Sequence, residues 1–225
     1  MRFEISDKYF QVPPNKLVNI NYKASINEGQ IIGLWGANGI GKSTLLKKLY
    51  SEFSSENYDI IHPSDKHFKY KIGIIPQHVN EILLPWLKVD KMQEIFKSNF
   101  SQLNGNINID GITNCSKKIR NLSGGEKQIL ALELMLNHRF NILFLDEPFS
   151  AMDLDNIKKY KNKLSLYAVH NKTVVFIVIH DLLVLQNLSD LILVFSQKEN
   201  SVLPLKNSYK ADNTVNIELL NLLYA

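Results

Sequence analysis

Gly36-Ala37-Asn38-Gly39-Ile40-Gly41-Lys42-Ser43-Thr44 matches the pattern Gly-x-x-x-x-Gly-Lys-Ser/Thr at every position. The apolar run Gln30 to Trp35 before it reads as a buried strand, and Thr44 to Tyr50 after it reads as a helix. Strand, glycine-rich loop and helix form the order a polyphosphate cradle requires. Glycines let backbone N–H groups turn inward, and the following helix N-terminus adds partial positive charge. In such a loop Lys42 reaches the β- and γ-phosphates, and the Ser43 hydroxyl ligates Mg2+. A glycine-rich turn without a ligand is the plainer alternative, and it leaves the complete match unexplained.

Working outward, residues 1 to about 29 carry short alternating segments around Val12-Pro13-Pro14-Asn15, which predicts antiparallel strands. Tyr9 and Phe10 lie there; either ring could stack on a base or sit in a core. Downstream, Lys71 to Ile75 predicts a strand that stops at Pro76 and leaves Gln77 exposed at its carboxyl end. Open α/β sheets bind ligands at that edge, so Gln77 is a candidate ligand or metal contact, with an ordinary loop amide as the alternative. The region from 78 to about 121, extended to 140 when the next helix is counted, reads as a smaller, mainly helical insertion. Leu83-Leu84-Pro85-Trp86-Leu87 within it is apolar but cut by proline. Asn104 to Gly111 lacks the full calcium-loop pattern and is read as a polar turn.

Leu122-Ser123-Gly124-Gly125-Glu126-Lys127-Gln128 leads into a second helical stretch, Ile129 to Leu136. Ser123 and Glu126 form a capping box. That box leaves Gly124 and Gly125 unexplained, because glycine in a helix costs roughly 1 kcal/mol relative to alanine. Bare backbone at a helix N-terminus describes a second anion site. Asn141 to Leu145 is an apolar strand ending in Asp146-Glu147. There Asp146 is placed to hold Mg2+ through its water shell, and Glu147 to orient and deprotonate an attacking water. Ser150 to Asp153 is a polar turn before a helix reaching about Val169. Thr173 to Ile179 is another buried strand, closing on His180, whose imidazole can hydrogen-bond a phosphate. One more strand spans Leu191 to Phe195, and residues 197–225 read as a polar loop followed by an amphipathic helix near Val215 to Tyr224.

Bulk properties narrow the classes. With 225 residues, 45% hydrophobic and 21% charged, the chain is long enough for a core without staples. Its longest apolar run, Val174 to Ile179, is far short of the roughly 18–20 residues needed to cross a bilayer. The first eight residues do not resemble a secretory signal, and the lone Cys115 excludes an internal disulfide. Net charge is +4. The basic clusters Lys66 to Lys71 and Lys158 to Lys163 are expected to be solvated faces rather than nucleic-acid or membrane contacts.

Taken together, the motifs resemble the nucleotide-binding subunit of ATP-binding cassette (ABC) transporters over nearly the whole chain. They are the phosphate loop, the Q-loop residue Gln77, the signature Leu122 to Gln128, the Asp146-Glu147 pair, the D-loop Ser150 to Asp153 and the switch His180. The resemblance implies an α/β P-loop NTPase fold with a mainly parallel core sheet, an N-terminal antiparallel β subdomain and a small helical subdomain. It implies ATP and Mg2+ as ligands, with Lys42, Glu147 and His180 catalytic. Gly36 to Thr44, Gln77, Tyr9 and the signature residues Ser123, Gly124, Gly125 and Glu126 would contact nucleotide, and Ser43, Gln77 and Asp146 would contact metal. Two such subunits, as a homodimer, would sandwich each ATP head to tail and drive an integral membrane permease from the cytoplasmic face, with a substrate-binding protein added in an importer. No nucleic-acid partner is expected. A soluble ABC ATPase acting on ribosomes or DNA is the alternative; such relatives carry tandem cassettes or long insertions. Pro85-Trp86-Leu87 with Asp146 to Ala151 is similar to importers of nitrate and sulfonates. The helix after the signature departs from the family, being apolar and acidic where many relatives are basic and alanine-rich.

Overall fold

In the computed structural model, residues 2–5, 8–12, 16–20, 24–54, 70–99, 116–196 and 201–206 are described, with side chains for 26–54, 70–98 and 116–195. The expected turn at 104–111, most of the cluster 66–71, Cys115 and the expected C-terminal helix lie outside these residues, as does the side chain of Tyr9.

The N-terminal strands are β1 (Arg2–Ile5), β2 (Lys8–Val12), β3 (Lys16–Ile20) and β4 (Ala24–Asn27). They pair antiparallel, β1 with β4 and β2 with β3, as the alternating segments predict. The core strands are β5 (Ile31–Trp35), β6 (Ile72–Ile75), β7 (Ile142–Asp146), β8 (Val174–Val178) and β9 (Leu191–Ser196). A last strand, β10 (Ser201–Lys206), pairs antiparallel with β9. The larger sheet has the order β2-β3-β10-β9-β5-β8-β7-β6 and is parallel from β9 through β6. The reading of 197–225 as loop then helix is therefore corrected at Ser201–Lys206, which is strand.

Among the described residues, the α-helices that accompany the sheet are α1 (Lys42–Ser54), α2 (Val89–Asn99), α3 (Gly124–Leu136), α4 (Leu154–Asn171) and α5 (Leu182–Leu188). Strand side chains alternate between two packed faces, as a parallel sheet covered on both sides demands. Ile142, Phe144, Val174, Phe176 and Val178 join Leu45, Leu46, Leu49 and Phe53 of α1 on one face. Leu143, Leu145, Val175 and Ile177 join α3, α4 and α5 on the other. Helix α3 is buried continuously from Gln128 to Leu136. A helix enclosed all round has no solvent face for basic residues, which accounts for the apolar run after the signature. The one acidic residue from Ile129 to Leu136, Glu133, is wholly buried and saturated: it accepts from the Tyr160 hydroxyl at 2.7 Å, from Lys163 Nζ at 2.6 Å and from Asn137 Nδ2 at 3.1 Å.

Among the described residues no helix is long and apolar enough to cross a membrane. Leu83 is in the core, Leu84 and Leu87 pack partly buried against it, and Trp86 is 66% exposed.

Candidate nucleotide site

The parallel sheet brings the phosphate loop, Gln77, Asp146-Glu147 and His180 to one edge. The loop leaves β5, which lies beside β8; β8 leads to His180, and its other neighbour β7 ends in Asp146. Ile75 of β6 is level with Leu145 of β7, so Gln77 emerges beside the carboxylate pair, exposed to solvent. Gly39 and Gly41 hold positive φ, 75° and 114°, where a side chain would be strained, so the loop's wrap depends on them.

Lys42 is buried and its Nζ donates to the Gly36 and Ala37 carbonyls at 2.8 and 3.0 Å. Burial lowers its pKa, opposed by the nearby Glu147 and Asp146 carboxylates. The Ser43 hydroxyl donates to Asp146 Oδ1 at 3.0 Å. Burial pushes the Asp146 carboxyl above its usual range; the Ser43 hydrogen bond pulls it back, and Glu147 adds to the rise. Glu147 adopts φ 51°, rare for a residue with a side chain, and its N–H donates to the Val178 carbonyl at 3.0 Å. That turn brings Glu147 Oε1 within 2.5 Å of His180 Nε2. The structure thus gathers Lys42, Ser43, Asp146, Glu147 and His180 into one constellation.

A divalent cation suits this site. Ser43 and Asp146 offer two hard oxygens, a hydroxyl and a desolvated carboxylate, that would hold Mg2+. Among the described residues there is no cluster of three or more His, Cys, Asp or Glu side chains that would form an all-protein metal cage.

The signature lies on a separate element. Ser123 caps α3: its Oγ accepts the Glu126 N–H at 3.2 Å, while the Glu126 carboxylate accepts the Ser123 N–H at 2.6 Å. The second bond, with Lys117 alongside at 3.4 Å, holds the Glu126 carboxyl below its usual range. Glu126 thus closes the cap, and Gly124 and Gly125 leave bare backbone beside it. Gly125 also has a packing reason that the sequence did not reveal. A Cβ there would lie 2.7 Å from the Ala151 carbonyl oxygen of the D-loop. Sequence reading placed Gln128 at the end of the signature without giving it a role; in the structure it joins α3 to the same loop. Its amide donates to Ser150 Oγ at 2.7 Å and to the Glu147 carbonyl at 3.4 Å, and its oxygen accepts the Ala151 N–H at 2.8 Å. An amide directly before the apolar run from Ile129 was the available signal.

Fold and site together define a P-loop nucleoside triphosphatase. The family model described as "ABC transporter" matches residues 20–150. The aliphatic sulfonates import ATP-binding protein SsuB 2 of Pseudomonas syringae pv. tomato is 30% identical, covering 79% of this chain and 75% of that protein. The hemin import ATP-binding protein HmuV of Aliivibrio fischeri is 30% identical, covering 80% and 76%. The chain belongs to the ABC transporter family, as an ABC-type ATPase. Some relatives are much longer: this chain spans 28% of an ABC transporter ATP-binding protein of Methanocaldococcus jannaschii and 33% of the translation initiation factor RLI1 of Saccharomyces cerevisiae. Among solved structures, the ATP binding subunit of an ABC transporter superposes with a TM-score of 0.75 at 15% identity over 100% of both chains, a likeness of fold.

Proposed function

We propose that this chain is the ATP-hydrolysing subunit of a membrane transporter, working as a head-to-tail homodimer at the cytoplasmic face beside a separate integral permease. The observation that carries this reading is that the chain holds two anion-suited helix ends, and the hydrogen-bonded constellation takes in only one. Lys42, Ser43, Asp146, Glu147 and His180 gather around the N-terminus of α1, whereas the signature end of α3 makes its polar contacts with Lys117 and the D-loop. A second copy would supply its Ser123, Gly124 and Gly125 to the triphosphate held by the first.

In that site, the phosphate-loop N–H groups and Lys42 bind the phosphates. Gln77 and Asp146 face the metal, Tyr9 stacks on the base, and Glu147 orients and deprotonates the attacking water while His180 fixes its carboxylate. Mg2+, when bound, neutralises phosphate charge. Closing the dimer assembles both sites, and hydrolysis followed by release reopens it, which is the rigid-body motion a permease can use. The exposed Trp86 in the helical insertion suits contact with that permease. Similarity to import proteins favours uptake of a small solute, with a substrate-binding protein as an added partner.

The variant Glu147→Gln should accumulate as an ATP-bound dimer in Mg-ATP, seen by light scattering coupled to size exclusion. A monomeric variant, with a wild type that hydrolyses ATP freely as a monomer, would refute the sandwich. Similarity to RLI1 favours a second reading, action on ribosomes. Fractionation decides between them: co-purification in mild detergent with an integral membrane protein supports the transporter, and co-sedimentation with ribosomes the alternative.

A further inference from the structure

We propose that Gln128 is a positioning residue that couples the two ATP sites of the dimer, an inference that rests on the head-to-tail reading above. In a head-to-tail dimer the N-terminus of α3 serves the nucleotide held by the partner, whereas Glu147 serves the nucleotide held by its own chain. Gln128 stands between them. It lies one turn into α3, is 5% exposed, and uses both ends of its amide on the segment that follows the catalytic carboxylate. The Nε2 group reaches Ser150 Oγ at 2.7 Å and the Glu147 carbonyl at 3.4 Å, and Oε1 takes the Ala151 N–H at 2.8 Å.

The contact is tight as well as polar. With a Cβ on Gly125 only 2.7 Å from the Ala151 carbonyl, and one on Gly124 3.4 Å from Ala151 Cβ, the first turn of α3 has no slack against the D-loop. The Glu147 carbonyl that Gln128 reaches also accepts the Ser150 N–H at 3.3 Å, closing the turn that carries Glu147 in its left-handed conformation. Packed contacts of this kind do not stretch gradually, so a displacement of α3 has to be taken up by the turn. A phosphate drawn to Ser123 and Gly124 on one site therefore moves, through Gln128, the peptide that aims Glu147 at the other. Hydrogen bonds alone would permit a looser link; the missing Cβ atoms remove that freedom.

The test is the ATP dependence of hydrolysis by the full chain as wild type, Gln128→Met, Gln128→Glu and Ser150→Ala, with nucleotide binding measured alongside by calorimetry. Two coupled sites give a Hill coefficient above one and up to about two. Gln128→Met, similar in length and without the amide, should bring it to about one. Its nucleotide affinity should stay within about twofold, under 0.5 kcal/mol. Gln128→Glu still accepts from the Ala151 N–H and the Ser150 hydroxyl, so it should retain more cooperativity than the methionine variant. Ser150→Ala removes one of the three bonds and should fall between wild type and Gln128→Met; it decides the matter if Gln128→Met does not fold. A wild-type Hill coefficient preserved in these variants overturns the coupling role and leaves the dimer intact. A wild type that is non-cooperative, together with a monomeric Glu147→Gln, removes the sandwich itself.

Discussion

Gly124 and Gly125 are adjacent, helical and chemically identical, yet alanine should have opposite effects at the two positions. Helix propensity alone predicts that each Gly→Ala change stabilises by up to roughly 1 kcal/mol. At Gly124 the nearest atom to a new Cβ is Ala151 Cβ at 3.4 Å, an ordinary contact, so the propensity gain survives. At Gly125 the nearest atom is the Ala151 carbonyl oxygen at 2.7 Å, a backbone atom that cannot swing away. Overpacking of this sort costs typically about 1–3 kcal/mol, which offsets the gain and leaves a net loss of up to about 2 kcal/mol. For a domain of this size 1 kcal/mol moves Tm by about 2–4 °C. Gly124→Ala should therefore melt up to about 4 °C higher than wild type and Gly125→Ala up to about 8 °C lower, by calorimetry without nucleotide. If both variants are stabilised equally, α3 does not press on the D-loop as described, and the rigid contact assigned to Gln128 loses its support.

Two further predictions concern charge. Burial raises the folded-state pKa of Asp146 above its ordinary 3.8, so the unliganded fold carries a penalty that is absent at lower pH and grows as pH rises from that value through the folded pKa. Asp146→Asn should accordingly raise the nucleotide-free Tm more at pH 7 than at pH 4, and a pH-independent shift would show that desolvation is not the cause. Lys163→Met leaves Glu133 buried without its cation; full burial would make that cost about 3–5 kcal/mol, and because Lys163 is 36% exposed we expect about 2 kcal/mol in urea unfolding. The double variant Glu133→Gln/Lys163→Met should recover most of it, and a Lys163→Met loss below about 0.5 kcal/mol would remove the pair from the α3–α4 contact.

What the sequence reveals here is chemistry confined to neighbouring residues. The phosphate loop, the capping box and the strand ends at Asp146 and His180 are local patterns, and each requires its residue types for backbone reasons. What it conceals depends on partners far along the chain. Strand β10 contains Pro204, which argues against an interior strand; the structure tolerates it because β10 meets β3 only at Ser201↔Asn19, away from the proline. Glu133 reads as an anomaly until Tyr160 and Lys163, a helix away, are seen to enclose it. The left-handed turn at Glu147 has no glycine to announce it and is fixed by the Val178 carbonyl of the neighbouring strand.

The hydrogen bonds within the site bear on why turnover should require a second chain. Each charged group assigned to the site, and the Ser43 hydroxyl, already has an internal partner: Lys42 the Gly36 and Ala37 carbonyls, Ser43 the Asp146 carboxylate, Glu147 the His180 ring, and Glu126 the Ser123 N–H and Lys117. Binding by one chain then exchanges hydrogen bonds rather than adding them, and an exchanged bond is worth only about 1 kcal/mol net. Catalysis needs interactions made in the transition state and absent before it. Backbone N–H groups of Gly124 and Gly125 from a partner, arriving as water is expelled, meet that requirement, because they cost the first chain none of its existing bonds. On this reasoning Glu126→Ala, which frees the Ser123 N–H but loosens the cap by about 1 kcal/mol, should weaken cooperative turnover more than it weakens nucleotide binding by the single chain. Equal losses in both, measured by steady-state hydrolysis and calorimetry, would place the signature at its own chain's nucleotide instead.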